Sequence, residues 1–488
     1  MTVSTIASPP PDEATIASVS STRTRPQGRD RASASIGLEE LRSRLTGPLI
    51  TPDHPGYDTA RGTIYTAVDR YPWAIVRAAN ANDAAEAVVF ASEYAVPLAV
   101  RSGGHSLASL SVIDDALVVD LSAMNRIAID PASRTARIQP GAASGELAWL
   151  AHVHGLALST GDTHSVGMGG LVIGGGIGFM VRKYGLTIDN LLSAQVVTAA
   201  GEIVHASAFE HADLFWAIRG GGGNVGIVTE FLVRLAPVRH VLGGELILPA
   251  TREVLRGYLD LVAAAPDDLT TIAALMRAPA APHIPPEHVG ALVLDIIVCW
   301  TGDPDEGEQI LAPLRALANP VADTVAPLPY PELYRITAPF AEPHAASIRM
   351  MFADALSDET LDAAIDAMHH ASSPTSLIQF RGLGGAMARV GDDATAFAHR
   401  RRRYLVAAIG LWFDVSADAA PHQAWTGRLW DAIRHEETGA YVNFLEAEGD
   451  TRIREAYPPA TFARLAAIKR RYDPDNLFRF NQNVPPGP

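Results

Sequence analysis

Apolar positions recur along the chain in two rhythms, and each predicts an element where it holds. Gly37-Leu38-Glu39-Glu40-Leu41 reads as a short amphipathic helix at which order begins, and Tyr71-Pro72-Trp73-Ala74-Ile75-Val76 as a strand. Asn82-Asp83-Ala84-Ala85-Glu86 opens a helix, with Asn82 as its cap and apolar residues at helical spacing through Ala95. Pro97 to Arg101, Ala116 to Leu121 and Thr135 to Gly141 predict further strands, and Gly145 to His154 a helix. A turn at Ala200-Gly201 predicts a hairpin over Ala194 to Val204, and Ile227 to Val233 alternates as a strand does. From Pro237 to about Glu437, helices and β-branched strands are joined by Pro-rich connections such as Ala280 to Pro286 and Pro327 to Pro331. A helix over Ala460 to Arg471 precedes the end, and no repeat of fixed period is present.

The whole predicts an α+β chain. At 488 residues it exceeds what one simple core serves, so two units are expected. The boundaries are a disordered lead-in over 1–36, a first unit over 37–238, a second over 239–440, and a C-terminal segment, 441–488, returning to the first. Composition adds exclusions. Hydrophobic residues are 48% and charged residues 19%, an ordinary globular balance. A net charge of -15 argues against a nucleic-acid partner, and Arg400-Arg401-Arg402-Arg403 reads as a solvated or locally paired stretch. Cys299 is the only cysteine, so an intramolecular disulfide and a cysteine metal cluster are impossible; it reads as a buried strand residue. No metal site is expected, no apolar run reaches the length of a membrane span, and the lead-in lacks a secretory h-region or twin-arginine pair, which points to a cytoplasmic protein.

Six motifs remain that packing does not explain. Arg101-Ser102-Gly103-Gly104-His105-Ser106 follows a strand, and adjacent glycines there allow a tight turn whose N–H groups suit an anion such as a pyrophosphate. The glycine-dense run Gly161-Asp162-Thr163-His164-Ser165-Val166-Gly167-Met168-Gly169-Gly170, then Gly174-Gly175-Gly176-Ile177-Gly178, reads as neither helix nor normal strand and permits close approach to a flat or phosphorylated ligand. Its G-x-G-x-x-G content lacks the strand–turn–helix frame of a nicotinamide-dinucleotide site. The others are Gly185-Leu186-Thr187-Ile188-Asp189-Asn190, Asp213 to Gly223, Tyr441-Val442-Asn443-Phe444, and Tyr472-Asp473-Pro474-Asp475-Asn476 running on to Asn481-Gln482-Asn483.

Taken in order, these motifs resemble the berberine-bridge-enzyme-like, FAD-linked oxidases of the vanillyl-alcohol-oxidase superfamily, over residues 40–240 and 440–486. The resemblance implies a two-part FAD-binding domain of the PCMH type, and an α/β substrate domain whose antiparallel sheet is covered by helices. It implies FAD bonded through a ring nitrogen of His105. Arg101 to Ser106 would wrap the cofactor with Gly161, Thr163, Val166, Gly167, Gly170, Gly174, Gly175, Gly176 and Gly178. Ile227, Asn443, Asn481 and Asn483 complete the implied cofactor contacts. Many relatives add a cysteinyl bond; Thr163 stands where that cysteine would be, so attachment here is single.

The resemblance also makes Tyr441 the candidate base, with Asn443 fixing its geometry. A tyrosine acts as base only if its pKa falls well below ~10. In Leu377-Ile378-Gln379-Phe380-Arg381, alternation puts Gln379 and Arg381 on one face, either toward the cofactor or toward solvent. Arg381 is a candidate cation for lowering the Tyr441 pKa. His164 is a further candidate for flavin contact, and His399 reads as structural. Val166 occupies the position that gates oxygen in relatives, whereas Leu171 departs from the polar residue frequent in plant members. The expectation is an oxidase of a small alcohol, amine or phenolic metabolite, of the kind used in secondary metabolism, with O2 as acceptor. The alternatives are a carbohydrate or lactone oxidase of the same family, a non-catalytic flavin-binding relative, and an NAD dehydrogenase should no flavin be bound.

Overall fold

The structure, a computed structural model, describes residues 31–434 and 439–488. The first helix runs Arg31–Arg44, so helical structure starts ahead of the expected Gly37, and the rest of the expected lead-in lies outside the described residues. Four short strands follow: β1 (Leu49–Ile50), β2 (Ala74–Arg77), β3 (Leu98–Arg101) and β4 (Leu117–Asp120), in the order β1-β2-β4-β3. β2, β4 and β3 are parallel, and β2 and β4 carry near-continuous apolar runs because both faces are covered. The crossover from β2 to β3 is the helix Ala81–Glu93. Its cap is Asn80 rather than Asn82: the Asn80 side chain accepts the N–H groups of Asn82 and Asp83 at 2.9 and 3.1 Å. Asp83 is drawn inward instead, where its carboxylate accepts the backbone N–H groups of Thr46, Gly47 and Ala79.

A second sheet contains β5 (Ile127–Asp130), β6 (Thr135–Ile138), β7 (Leu191–Val197), β8 (Ile203–Ser207) and β9 (Ile227–Arg234), antiparallel in the order β5-β6-β9-β7-β8. The hairpin expected around Gly201 is β7–β8, and Gly201 takes the left-handed φ of +76° there.

The third sheet is antiparallel throughout. Its strands are β10 (His240–Pro249), β11 (Leu269–Arg277), β12 (Leu292–Trp300), β13 (Ala322–Asp323), β14 (Ala326–Pro329), β15 (Ala345–Ala353), β16 (Leu377–Gly382) and β17 (Tyr404–Trp412). The order is β13-β10-β12-β11-β16-β17-β15, with β14 also against β10. Alternation decides its two faces. Leu246, Leu294, Leu275, Ile378 and Val406 point to one face, which the helices Arg252–Ala264, Pro304–Arg315, Asp358–His369 and Ala420–Ile433 cover with Leu255, Leu311, Leu361 and Leu429. The opposite face packs on the first unit through Met350, Phe352, Leu405 and Ala407, and lines a cavity through Ala274, Gln379 and Arg381. Cys299 is buried on β12, as its setting predicted. Among the described residues no helix is long and apolar enough to cross a membrane.

A polar tie joins the connection before β17 to the glycine-rich half. Arg400, fully buried, meets Asp189 at 2.8 Å and Thr395 Oγ1 at 2.7 Å. Burial nonetheless holds the Asp189 carboxyl above its ordinary range, since desolvation outweighs the guanidinium. Within the rest of the arginine run, Arg401 pairs with Asp392 and Arg402 with Asp354. Replacing Arg400 by Met strands a buried carboxylate and is expected to lower unfolding free energy by about 3–5 kcal/mol in denaturant melts, with Asp189→Asn in the same chain recovering most of the loss.

Candidate active site

The parallel strand β3 ends at Arg101, and the next residues turn sharply, with Gly104 at φ +72°. This turn comes to rest directly on the second glycine motif. A Cβ on Gly103 would stand 2.4 Å from the Gly167 nitrogen, and one on Gly167 2.5 Å from the Gly103 nitrogen. Backbone meets backbone, which requires glycine at both positions. Ser102 secures the contact by donating to Pro140 O at 2.5 Å.

The joined loops form one wall of a cavity of about 790 Å³, in the upper part of the ~300–1,000 Å³ typical of ligand pockets. Ser102, Gly103, Gly104, His105 and Ser106 line it, as do Gly161, Thr163, Val166, Gly167 and Gly170 from the second motif. Ile227, Asn443 and Asn481 line it from the second sheet and the C-terminal segment. His105 Nε2 lies 3.0 Å from Ser165 Oγ. Burial, with His344 nearby, brings the His105 pKa down to about 4, so the imidazole is neutral near pH 7.

Five expected cofactor residues do not line this cavity. Arg101 sits behind the turn, its guanidinium bonded to Ala60 O and shielded beneath Gly104. Asn483 accepts from the buried Lys469 at 3.0 Å. Gly174, Gly175 and Gly178 are small because protein fills the space: their Cβ atoms would stand 2.0 Å from Asn443 Oδ1, 3.2 Å from the Tyr441 ring and 1.9 Å from Thr160 O. The same contacts explain why the glycine-dense run is not all coil. A helix, Met168–Gly174, runs inside it, and tertiary packing against Ser102, Pro140 and Asn443 outweighs glycine's poor helix propensity.

Tyr441 enters from the opposite wall, 3% exposed. Its Oη accepts two N–H donors, from Gly176 at 2.9 Å and Asn443 Nδ2 at 3.0 Å. Asn443 also donates to Leu171 O, so the loop holding Tyr441 is fixed to the glycine motif. Burial raises the Tyr441 pKa; Gly176, Asn443 and Arg381 pull it down, and burial prevails. The expected lowering by Arg381 is thus present in sign and insufficient in size.

Gln379 and Arg381 lie on β16, between β11 and β17, and both face the cavity rather than solvent. The guanidinium of Arg381 bonds Asp162 at 2.7 Å and Gln379 Oε1 at 2.7 Å, and lies 5.1 Å over the Phe444 ring. Asp162 was not singled out in the sequence, since nothing local distinguishes one acid in a glycine loop. Glu245 and Asp295 were also missed. They stand on the neighbouring strands β10 and β12, line the cavity, and influence each other's ionisation. Burial raises both carboxyls, Asp295 well above its ordinary value. A lone acid inside Leu294-Asp295-Ile296 was the available signal. His164 packs on Gly145 and edge-on to Tyr334, outside the cavity lining. His399 is structural, bonded to Glu455 O at 2.8 Å and stacked on Phe352.

The cavity carries polar atoms that the protein leaves unused. Ser111 Oγ, Tyr457 Oη and Asn481 Oδ1 are buried without hydrogen-bond partners, and their residues line the space. A Cβ at Gly170 would meet nothing within 4 Å. Stranded hydrogen-bonding groups beside open room fit a large polar, flat ligand such as FAD.

The family description "FAD binding domain" matches residues 72–207, and "Berberine and berberine like" matches 440–485. The chain is 31% identical to (R)-6-hydroxynicotine oxidase of Paenarthrobacter nicotinovorans, over 91% of this chain and 97% of that one. It is 30% identical to an uncharacterized FAD-linked oxidoreductase of Bacillus subtilis, over 91% and 98%. The crystal structure of 6-hydroxy-D-nicotine oxidase from Arthrobacter nicotinovorans superposes with a TM-score of 0.81 at 29% identity, covering 91% of this chain and 98% of that one. A chitooligosaccharide oxidase shares the fold at 23% identity and TM-score 0.82, covering 93% and 100%.

Two glycine substitutions separate packing from ligand space. Gly178→Ala drives a Cβ into Thr160 O and is expected to cost about 2–4 kcal/mol in a denaturant melt. Gly170→Ala, in a helix with open space beside it, is expected to leave the melt within about 1 kcal/mol while reducing the flavin content of the purified protein.

Proposed function

Because the chain belongs to the berberine-bridge-enzyme-like FAD-linked oxidoreductases, and is therefore an enzyme, we propose that it holds FAD by one covalent bond from His105 and oxidises a small alcohol, amine or phenolic metabolite, with O2 as acceptor. In this reading residues 37–238 and 441–488 hold the cofactor, and 239–440 supply the wall that meets the substrate. The observation that carries the reading is Tyr441, whose oxygen takes two N–H donors while lining the same cavity as a neutral His105.

Donors aimed at a phenolic oxygen stabilise its anion, so Tyr441 is built to give up its proton to solvent and take one from the substrate O–H or N–H. Burial opposes that charge, and the donors from Gly176 and Asn443 together with the Arg381 cation are what the anion has to set against it. Asn443 holds the geometry. Gln379 and Arg381 present an amide and a cation on the substrate side, where they orient the polar end of the substrate. His105 is buried and neutral, the state in which an imidazole nitrogen is a nucleophile able to form the covalent bond. Thr163 lines the wall without a thiol, in keeping with single attachment. FAD held there would supply hydride acceptance, with O2 as the proposed final acceptor and H2O2 as its product. Val166 faces the cavity with a small side chain, which suits access by O2.

The small-molecule choice is supported by the nicotine-oxidase relative and by the cavity wall, which mixes apolar Ile272, Ala274 and Met276 with the acids Glu245 and Asp295. Those acids favour a substrate that offers a donor or an amine over one that carries a carboxylate.

Acid-precipitated wild-type protein is expected to stay yellow, and His105→Ala to release all its flavin on the same treatment; colourless wild-type precipitate would refute the covalent bond. Tyr441→Phe is expected to keep the flavin and lose about 10²–10⁴ in the rate of flavin reduction by a benzylic alcohol or amine that reduces the wild type.

A further inference from the structure

Asp162 belongs to the glycine motif, yet its carboxylate is spent on Arg381 of β16, at 2.7 Å with both side chains largely buried. Its place is fixed from the second unit. Thr337 Oγ1 donates to Asp162 O at 2.5 Å, and the Tyr334 hydroxyl reaches Gly161 O at 3.0 Å and Thr160 Oγ1 at 2.6 Å. The guanidinium is held independently by Gln379 Oε1 and, at 3.4 Å, by Ile177 O. Ile177 is the neighbour of Gly176, whose N–H is bonded to Tyr441. Arg381 and Tyr441 therefore meet across one short piece of backbone.

Arg381 is the charged group that acts on Tyr441. The other groups packed against the ring carry no charge: Gly175 and Gly176, Phe397, Phe444, Asn443, and Met350, whose sulfur receives the Tyr441 N–H. His399 beyond Phe397 is neutral near pH 7, its pKa brought down to about 4 by burial.

We propose that Asp162 is a positioning residue that works through Arg381, supplying the counter-charge that decides the pH at which Tyr441 becomes a base. The proposal rests on the reading of Tyr441 as the base. A lone guanidinium beside a buried phenol favours the phenolate strongly; a carboxylate 2.7 Å from that guanidinium cancels much of its field. Asp162 pushes in the same direction elsewhere, raising the pKa values of Tyr65, Tyr330 and Tyr334. The consequence is that the ion pair, and not the guanidinium alone, sets the pH above which Tyr441 has released its proton to solvent and can take one from the substrate.

The two halves of the pair have opposite signs, which a purely structural role does not reproduce. Asp162→Asn keeps the shape and one acceptor oxygen for Arg381 but removes the negative charge, so the Tyr441 titration moves to lower pH. Arg381→Met removes the cation, so it moves to higher pH. Each shift is expected to be about one pH unit or more. The test is an ultraviolet tyrosinate titration of each holoenzyme, with the corresponding Tyr441→Phe double variant as blank. Opposite shifts support the proposal; an unmoved Asp162→Asn midpoint, or shifts in one common direction, overturns it. The base reading fails separately, if Tyr441→Phe oxidises a benzylic alcohol as fast as the wild type while the opposite shifts stand. Thermal melts of Asp162→Asn and Arg381→Met confirm that both variants are folded when titrated.

Discussion

Everything at the site depends on two stretches of backbone touching. The turn after β3 and the loop around Gly167 approach so closely that a Cβ on either Gly103 or Gly167 would stand within 2.5 Å of the other's nitrogen. That contact turns two motifs sixty residues apart into one continuous wall, and puts His105 within hydrogen-bond reach of Ser165. Close packing holds it, with the His105–Ser165 bond across it and the Ser102 bond to Pro140 O beside it, so its specificity comes largely from shape. The parallel strands behind it matter because they fix where the turn begins, at the C-terminal end of β3, the end at which α/β sheets present ligand loops.

The third sheet is joined to this wall by a few polar ties rather than by a broad apolar seam alone. Asn443 reaches the Met168–Gly174 helix, Arg381 reaches Asp162, and Arg400 reaches Asp189. Each tie carries a group from the sheet or the C-terminal segment to a glycine-motif residue, and each is buried. Such ties add little net stability, because desolvation offsets the attraction, but they admit only one relative placement of the parts. The orientation of Tyr441 is the result: its hydroxyl is pinned by a glycine N–H from one half and by the Asn443 amide from its own loop.

Burial then sets the protonation states. It makes His105 neutral, raises the Tyr441 pKa in spite of two donors and a cation, and raises the Glu245 and Asp295 carboxyls above their ordinary range. One physical cause, removal of water from a cavity wall, acts in opposite directions on acids and bases and leaves the site nearly neutral.

The sequence alone determined the strands and helices whose apolar rhythm was strong, the α+β class, the FAD-linked family and the candidates His105, Tyr441, Gln379 and Arg381, because motif order and period-two alternation are local properties. It could not distinguish a glycine that makes room for a ligand from one that makes room for protein. Gly170 has open space beside it, whereas Gly174, Gly175 and Gly178 are backed by protein. It placed the cap at Asn82 when Asn80 does that work, since which of two nearby asparagines turns outward depends on Asp83 being claimed by Thr46 and Gly47. It gave no sign of Asp162 or Glu245, and for Asp295 only a lone acid in an apolar strand, because their partners lie on other elements. Those choices belong to the tertiary structure, for the physical reason that burial and charge pairing are set by what arrives from elsewhere in the chain, not by what stands beside a residue in it.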